Sequence, residues 1–397
     1  MNLMGLNALD LILIVAAICY GISGYRQGFL IGALGVAGLI GGGVAGAWLA
    51  PIVLDKYEPG MRVSLVALGI VLAGAFLGQA LGAALGAALR SHVTWRPAHL
   101  VDATAGAALS VAAMLVVAWI LGSAVANARF GDISTTVRSS KVLATVDEIV
   151  PPFGSQAVQA FGRVVDPSLF PRYLAPFEAE RIAPAQPPAA GVLRDPDIVR
   201  AGRSVVRVTG VALECSRSLE GSGFVYAPGR VMTNAHVVAG VSAPRVETRE
   251  GRRYDARVVS YDPERDVAVL AVPDLPLDPV PLDEGAKPGD EGAVLGYPGN
   301  GPFTAGAARV RSEQPLRGPD IYGDQQVTRD VFSLYAKVRP GNSGGPLISP
   351  EGTATGLVFA ASVEDGSTGY ALTAQEVAGN ARAGVNATEP VSTGGCS

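Results

Sequence analysis

Residues 341–346 read Gly-Asn-Ser-Gly-Gly-Pro, and this stretch decides the fold more than any other. Because glycines flank Ser343, the serine can occupy a sharp turn that exposes its hydroxyl. The absence of side chains also lets the backbone N–H groups of Gly341 and Ser343 converge on one point, as an oxyanion hole requires. Two strand-like runs, 331–336 and 345–348, surround the stretch. We therefore interpret it as a nucleophile loop rather than a flexible glycine loop.

A serine nucleophile needs a base, and histidine is the usual one. The chain has three histidines, of which His92 and His99 fall in an apolar N-terminal region. That leaves His236 as the base for Ser343. A single histidine is more often a packed or solvent-facing residue, but here its neighbours in Thr-Asn-Ala-His-Val-Val (233–238) also fit.

A serine nucleophile and its histidine base also need an acidic residue to orient the imidazole. Residues 266–270 read Asp-Val-Ala-Val-Leu, and an acid at the start of a buried strand can reach Nδ1 of the imidazole and fix its tautomer. Asp262 and Glu264 are nearby alternatives, but the apolar alternation starts directly after Asp266. The chain order His236, Asp266, Ser343 is that of chymotrypsin and differs from that of subtilisin and the α/β-hydrolases.

The C-terminal half, residues 198–397, is a series of short alternating strands and turns, with a helix predicted only at 374–383. This pattern is typical of a β-barrel or sandwich. Two hundred residues suffice for two small barrels with a cleft between them. The predicted fold class is therefore an all-β, double β-barrel domain, preceded by an α-helical membrane domain.

The membrane domain is predicted from composition. Hydrophobic residues make up 49% of the chain and charged residues 17%, against about 25% charged in ordinary soluble proteins. Residues 1–125 contain four apolar runs, at 6–22, 29–52, 63–89 and 100–125. A helix needs about 20 apolar residues to cross a bilayer. The first run lacks the basic region and cleavage site of a signal peptide, so we predict four membrane spans.

The orientation of these spans follows from the basic residues of their loops. Arg26, Arg90 and Arg96 lie in the loops after spans 1 and 3, against Lys56 and Arg62 after span 2. This three-to-two margin places the N-terminus outside. Four spans return the chain to that side, so we expect a multi-pass protein of the plasma membrane with an extracytoplasmic C-terminal half.

Glycines recur every fourth residue in the third span, at 74, 78, 82 and 86. Small side chains on one helix face let helices approach closely, so we interpret this stripe as packing. A pore or transport path is the alternative, and its only candidate polar residues are Asp10, Gln79 and Asp102. The two aspartates could equally lie at the membrane interface.

Residues 126–197 are predicted to form a linker with two short helices, at 139–149 and 155–165. Seven prolines follow between 167 and 196, a density that breaks helices and stiffens an extended chain. We expect residues 183–196 to be an exposed, protease-sensitive tether, and we consider self-cleavage there.

Residues 198–385 resemble the trypsin-like serine peptidases of the chymotrypsin fold, specifically the HtrA/DegP branch. The matching stretches are 221–225, 233–238, 266–270, 296–298, 340–347 and 369–372. The resemblance implies a serine endopeptidase that works through an acyl-enzyme, with His236, Asp266 and Ser343 as catalytic residues. HtrA proteins normally carry a PDZ domain after the protease, and none is predicted here.

The N-terminal region resembles the CvpA-type (colicin V production) membrane domain at Asp10, Gly21, Gly24, Arg26 and Gly28. Joined to an HtrA-like protease, it resembles the MarP-type membrane serine proteases of mycobacteria, which are linked to acid resistance. This resemblance implies a periplasmic protease domain that acts on envelope proteins, for example a cell-wall hydrolase, and supports resistance to acid and envelope stress.

The cysteines are consistent with a periplasmic protease domain. Cys19 lies in the first span, which leaves Cys215 and Cys396 as a pair in the protease domain. In an oxidising compartment we expect them to form a disulfide that closes a loop of roughly 180 residues, which stabilises by ~4–5 kcal/mol in the chain-entropy model. Two unpaired thiols are the alternative.

No metal-ligand cluster, P-loop or dinucleotide motif occurs, so we expect no metal and no cofactor. With a net charge of −4 we also expect no nucleic acid. The expected partners are protein substrates and membrane lipid. A non-enzymatic peptide-binding scaffold and a transporter regulated by its outer domain are the alternatives.

The primary-specificity (S1) pocket is expected at 335–339 and 356–362, where Lys337 is more often a surface residue than a pocket floor. We expect small or apolar P1 residues. An unperturbed histidine has a pKa of about 6.5, so an enzyme with a histidine base is expected to have poor activity in strong acid.

Overall fold

The computed structural model describes residues 6–54, 61–92, 95–126, 132–150, 180–215, 217–362 and 364–396. The chain divides into two compact units, one built on residues 1–122 and 139–149 and the other on 123–138 and 150–397.

The N-terminal unit contains four long helices. They are α1 (Ala8–Gln27), α2 (Phe29–Leu54), α3 (Met61–Ser91) and α4 (Arg96–Ala126). Each contains a stretch that is long and apolar enough to cross a bilayer. The four predicted spans are confirmed, although the helices extend beyond several of the predicted bounds because polar end residues continue the helix.

Helices α2 and α3 pack with their backbones in contact. A Cβ atom built on Gly38 would lie 2.1 Å from the carbonyl oxygen of Gly78, and one on Gly42 would lie 2.1 Å from that of Gly74. Only glycine permits this approach. The glycine stripe therefore serves packing between these two helices.

The two aspartates of the spans bind helix ends. Asp10 is fully buried, and its carboxylate accepts hydrogen bonds from Ser140 Oγ (2.6 Å) and from the backbone N–H of Asn7 (3.0 Å). Asp102 lies 2.9 Å from Arg90 Nε and accepts the N–H of Leu30 at 2.9 Å. Gln79, the third polar residue considered for a pore, is exposed on α3. These contacts favour packing over a transport path.

Two shorter helices follow α4, namely α5 (Asp132–Arg138) and α6 (Lys141–Ile149). The sequence predicted α6, with its start placed two residues early, but not α5. The helix predicted at 155–165 lies outside the described residues. A further short helix, α7 (Pro196–Ala201), begins after Asp195, whose carboxylate accepts the N–H of Asp197 and caps the helix.

The first sheet of the C-terminal unit has seven strands in the order β5-β4-β1-β2-β3-β7-β6. Its strands are β1 (Val205–Ala212), β2 (Arg217–Ala227), β3 (Arg230–Thr233), β4 (Arg245–Glu247), β5 (Arg253–Asp255), β6 (Arg257–Asp262) and β7 (Val267–Ala271). Valines dominate its core, for example Val206, Val225 and Val231, all fully buried. The β2–β3 turn contains Gly229 with φ of 64°, as its Pro-Gly sequence predicts.

The second sheet closes into a six-stranded barrel in the order β10-β13-β12-β11-β8-β9. Its strands are β8 (Glu291–Gly296), β9 (Thr304–Pro319), β10 (Gln326–Tyr335), β11 (Pro346–Ile348), β12 (Ala354–Ala361) and β13 (Thr368–Thr373), and helix α8 (Ala374–Val385) follows. The predicted all-β class of this unit is confirmed. The first sheet keeps two free edges, β5 and β6, whereas the second is a closed barrel.

The structure differs from the sequence prediction at the start of this unit. The predicted exposed tether, 183–196, begins within a segment, 180–189, that is attached to the outside of the second barrel. Three hydrogen bonds hold this segment: Gln314 Nε2 to the carbonyl of Arg181 (3.3 Å), Arg311 to the carbonyl of Ala183 (3.0 Å), and the N–H of Ala189 to Glu291 Oε1 (3.0 Å). The barrel unit thus begins before residue 198, because backbone groups of this segment have partners on β8 and β9.

Candidate active site

His236 and Asp266 form a direct pair at the ends of neighbouring strands. His236 lies in a short 3-10 turn after β3, and Asp266 directly precedes β7, which pairs with β3. Asp266 Oδ2 lies 2.7 Å from His236 Nδ1, and Oδ1 accepts the backbone N–H of His236 at 2.9 Å. Because an ionised carboxylate only accepts hydrogen bonds, Nδ1 carries the proton. Nε2 is then free to act as a base.

The backbone of Asp266 is in the left-handed region, with φ of 61°. Aspartate tolerates this conformation better than most residues. The side chain of Asn234 donates to the carbonyl of Asp266 at 2.8 Å and holds the turn. The two alternatives lie elsewhere: Asp262 bonds Asn380 (3.0 Å), and the Glu264 carbonyl accepts Arg329. Of the three acids, the structure brings Asp266 to the imidazole.

Arg329 on β10 is a buried cation near this pair, and it is 2% exposed. Its guanidinium donates to the carbonyls of Glu264 (2.7 Å) and Pro319 (3.0 Å). Burial lowers the pKa of Arg329, and the charge of Asp266 opposes that shift. This contact was not predictable from the sequence, since an arginine within a strand is common on protein surfaces.

The loop that carries Ser343 connects β10 to β11. Its peptide groups are oriented by bonds to their carbonyls: Gly299 N–H donates to Pro340 O (2.7 Å), and Gly345 N–H donates to Asn342 O (2.9 Å). In a trans peptide the N–H points opposite to the carbonyl. The N–H groups of Gly341 and Ser343 therefore point away from these partners, and within the described residues neither donates a hydrogen bond to a protein group.

Gly341 has φ of 94°, and a Cβ atom there would lie 2.4 Å from the carbonyl oxygen of Tyr297. Both observations require glycine. Two free N–H groups in this orientation can donate hydrogen bonds to a developing oxyanion.

Ser222, on β2 of the first sheet, ties that sheet to the Ser343 loop. Its N–H donates to the carbonyl of Ser343 (2.8 Å), and its Oγ donates to the carbonyl of Gly341 (2.6 Å). The same Oγ accepts the N–H of Tyr297 at 2.9 Å. Ser222 falls within the family-matching stretch 221–225, and no separate role was predicted for it. A small polar residue between two glycines was the available signal.

Gly221 lies beside both the Ser343 loop and Val237, the neighbour of His236. A Cβ atom on Gly221 would lie 2.7 Å from Val237 Cγ2 and 3.0 Å from the carbonyl oxygen of Ser343. In the described residues no hydrogen bond joins Ser343 Oγ to the imidazole. Such bonds are often long without substrate and tighten when substrate binds. The structure thus pairs His236 with Asp266 directly and holds Ser343 in the same region through Ser222.

The C-terminal tail is held to the first sheet. Cys215 and Cys396 form a disulfide with Cα atoms 6.3 Å apart. Three hydrogen bonds support it: Gly240 N–H to Thr393 O (3.1 Å), Thr393 Oγ1 to Val241 O (3.1 Å), and Val391 N–H to Val258 O (2.9 Å). Cys19 is a free cysteine. In the described part of the chain, no three His, Cys, Asp or Glu residues cluster as metal ligands.

Comparison with known proteins agrees with this architecture. Residues 221–357 match the family described as "Trypsin-like peptidase domain", and residues 9–151 match "Colicin V production protein". The "Serine protease Rv3671c" of Mycobacterium tuberculosis is 40% identical over 393 residues, which cover 98% of each chain. The chain belongs to the trypsin-like serine protease family. It is therefore an enzyme, which decides against the non-enzymatic scaffold.

A crystal structure of the same relative and one further relative extend this result for the protease unit. The crystal structure of the active form of the Rv3671c protease is 48% identical, with a TM-score of 0.53, and covers 56% of this chain and 98% of that one. The chloroplast "Protease Do-like 1" of Arabidopsis thaliana is 32% identical over 167 residues, which cover 40% of this chain and 38% of that protein. Both the trypsin-like protease and the CvpA-type membrane domain are thus confirmed.

Proposed function

We propose that the protein is a membrane-anchored endopeptidase in which Ser343 is the nucleophile. His236 Nε2 takes the proton of Ser343 Oγ as that oxygen attacks the carbonyl carbon of the scissile peptide. Asp266 stabilises the imidazolium that forms. The N–H groups of Gly341 and Ser343 stabilise the oxyanion of the tetrahedral intermediate.

The imidazolium then donates its proton to the leaving amine, which departs and leaves an acyl-enzyme on Ser343. Water attacks the ester carbonyl, and His236 accepts a proton from that water. Collapse of the second intermediate releases the carboxylic acid and returns the proton to Ser343.

The observation that carries the proposal is the hydrogen bond of 2.7 Å between His236 Nδ1 and Asp266 Oδ2, next to a loop with two oriented N–H groups. The test is fluorophosphonate labelling of the full chain in detergent. We expect labelling in the wild type and none in Ser343→Ala. Asp266→Asn should lower kcat by about four orders of magnitude, because the asparagine favours the wrong tautomer. Labelling that persists in Ser343→Ala would refute the assignment of the nucleophile.

We also propose that the protease unit faces the extracytoplasmic side of the plasma membrane and cleaves envelope proteins, such as a cell-wall hydrolase, in support of resistance to acid and envelope stress. The disulfide supports this, because disulfides persist in oxidising compartments. The apolar helices supply the anchor. A reporter active only in the periplasm, fused after Ser397, tests the orientation. Survival in acid with Ser343→Ala in place of the wild type tests the role.

For substrates we propose small or apolar P1 residues. A Cβ atom on Gly369 would lie 2.3 Å from Val338 Cγ2, so a branched apolar side chain fills the space beside that strand. Lys337 is exposed and stays on the surface. A peptide library cut preferentially after arginine or aspartate would contradict this proposal.

Self-cleavage before the protease unit is a further part of the proposal. The backbone bonds of residues 180–189 disfavour cutting within them, since a protease needs an extended, free backbone. Incubation of the full chain beside Ser343→Ala, with fragments identified by mass spectrometry, tests it. A fragment that also forms in the Ser343→Ala chain would not result from self-cleavage.

A further inference from the structure

Glu180 enters the second barrel from the segment that precedes it. Its Oε2 accepts hydrogen bonds from the hydroxyl groups of Ser362 and Tyr370, the latter at 3.3 Å. Tyr370 on β13 is fully buried, and Ser362, directly after β12, is 5% exposed. Buried hydroxyls need partners. A carboxylate from outside the barrel supplies one to the ends of two of its strands.

Ser362 begins the connection from β12 to β13, and the described residues of this connection, 362 and 364–367, are called loop 362–367. Its Oγ also accepts the backbone N–H groups of Glu364 (3.1 Å) and Asp365 (2.8 Å). A hydroxyl group has one proton to donate and two lone pairs to accept with. Because both acceptor positions of Ser362 are taken by its own loop, its proton goes to Glu180. Glu180 thus completes the hydrogen bonding that shapes this loop.

The loop in turn contacts the chain that leads to the nucleophile. The carbonyl of Ser367 accepts the N–H of Ala336 at 2.8 Å. Ala336 follows β10 and starts the short run that ends at Gly341 and Ser343. Loop 362–367 is therefore hydrogen-bonded directly to the segment that orients the two free N–H groups, so a change in the loop would displace that segment.

Arg311 on β9 joins the same three parts of the molecule. Its guanidinium donates to the carbonyl of Ala183 (3.0 Å), to Asp365 Oδ2 (3.4 Å) and to Ser367 Oγ (3.3 Å). It also lies 4.3 Å above the ring of Tyr335, the last residue of β10. The Arg311 side chain is 7% exposed. A guanidinium has five donors in a fixed plane, which lets one side chain bind several acceptors at once.

We propose that residues 180–183 form an intramolecular brace, which holds the loop 362–367 and, through it, the Ser343 loop in the shape that exposes the N–H groups of Gly341 and Ser343. Glu180 and Arg311 are positioning residues for the reaction. The brace rests on the proposed role of Ser343 as nucleophile. It makes the activity of the protease depend on a segment between the protease and the membrane domain.

The test uses the full chain in detergent and three variants. Glu180→Ala removes the acceptor, Glu180→Gln keeps an acceptor oxygen without the charge, and Glu389→Ala is the control at an exposed acid in the C-terminal segment. The rate constant and the final extent of fluorophosphonate labelling are measured together with kcat/KM on a peptide. We expect Glu180→Ala to lower the rate constant and kcat/KM about tenfold at full final labelling. Glu180→Gln should lose less than threefold, and Glu389→Ala should match the wild type.

The final extent of labelling separates positioning from simple loss of structure. A Glu180→Ala chain that labels at the wild-type rate, whether fully or to a reduced extent, overturns the brace, because the molecules that fold are then fully competent. Wild-type labelling that persists in Ser343→Ala would instead refute the proposed nucleophile. Arg311→Lys provides a second test. It should lower the labelling rate similarly, and its combination with Glu180→Ala should cost less than the product of the two single effects.

Discussion

Replacing Ser222 by alanine tests how the first sheet supports the oxyanion hole. The substitution removes the donor to the Gly341 carbonyl (2.6 Å) and the acceptor for the Tyr297 N–H (2.9 Å). Tyr297 is buried, so its N–H loses its partner and gains no water, which costs about 1–3 kcal/mol. Gly341 is half-buried, so its carbonyl can bind water and the loss there is about 1 kcal/mol. We expect a total destabilisation of about 2–4 kcal/mol, less than the stability of a typical domain.

Ser222→Ala is expected to lower activity more than the substitution of an ordinary buried serine would. Loss of one oxyanion donor costs about 10²–10³ in kcat. The Gly341 N–H keeps its orientation partly, because the Pro340 carbonyl is still bound to Gly299. We therefore expect kcat/KM of Ser222→Ala to fall by about 10–100-fold, somewhat less than complete loss of a donor would cause.

The assay measures kcat/KM on a peptide, the rate of fluorophosphonate labelling and the thermal unfolding of the full chain in detergent. Ser349→Ala is the matched control, because Ser349 Oγ also bonds locally, to Thr353 Oγ1 at 2.8 Å, in a turn after β11. It should lose stability but keep its activity. A folded Ser222→Ala with kcat/KM within twofold of the wild type, or an equal loss in Ser349→Ala, would refute the reasoning.

Three further outcomes are expected. Gly344→Ala should abolish fluorophosphonate labelling and lower the unfolding temperature. The φ of Gly344 is 83°, and a Cβ atom there would lie 2.1 Å from the carbonyl oxygen of Ser222. Labelling of Gly344→Ala at the wild-type rate would contradict this prediction. The double variant Cys215→Ser, Cys396→Ser should have a lower unfolding temperature that no longer depends on reductant. A disulfide with a sequence separation of 181 stabilises the folded state by ~5 kcal/mol in the chain-entropy model. Burial raises the pKa of Tyr226 to about 12 from 10.0, so its contribution to stability is complete below pH 10.0 and is lost as pH rises towards 12. Alkaline unfolding of Tyr226→Phe should show a weaker dependence on pH in that window, and an unchanged dependence would count against it.

Several features were predictable from local sequence alone. The four spans follow from length and apolar composition, which decide whether a helix is stable in lipid. The proposed catalytic residues are recognisable because the chemistry needs an imidazole, an acid and a serine between glycines. His236 and Asp266 lie 2.7 Å apart as that logic predicts. The pairing of Cys215 with Cys396 was predicted because Cys19 lies in a membrane span and an oxidising compartment was expected. The structure contains that disulfide.

Other features were not predictable in this way. The long strand β9 carries Arg and Gln among its apolar residues, and the short strands β4, β5 and β6 have no clear alternation, so the period that signals a strand is absent. Residues 183–196 were predicted to be an exposed tether because prolines break helices and stiffen an extended chain. Backbone groups of Ala183 and Ala189 are instead bonded to side chains of β9 and β8, which lie more than a hundred residues further along the chain.

Composition and chemistry within a few neighbouring residues were enough to predict the membrane domain and the β-rich protease class, and to propose which residues are catalytic. The tertiary structure alone decided which groups support them. Ser222 reaches Gly341, and Glu180 reaches Ser362, across separations of 119 and 182 residues. Such contacts depend on strand order and barrel closure, which bring distant backbone and side-chain groups together, and no local pattern encodes them.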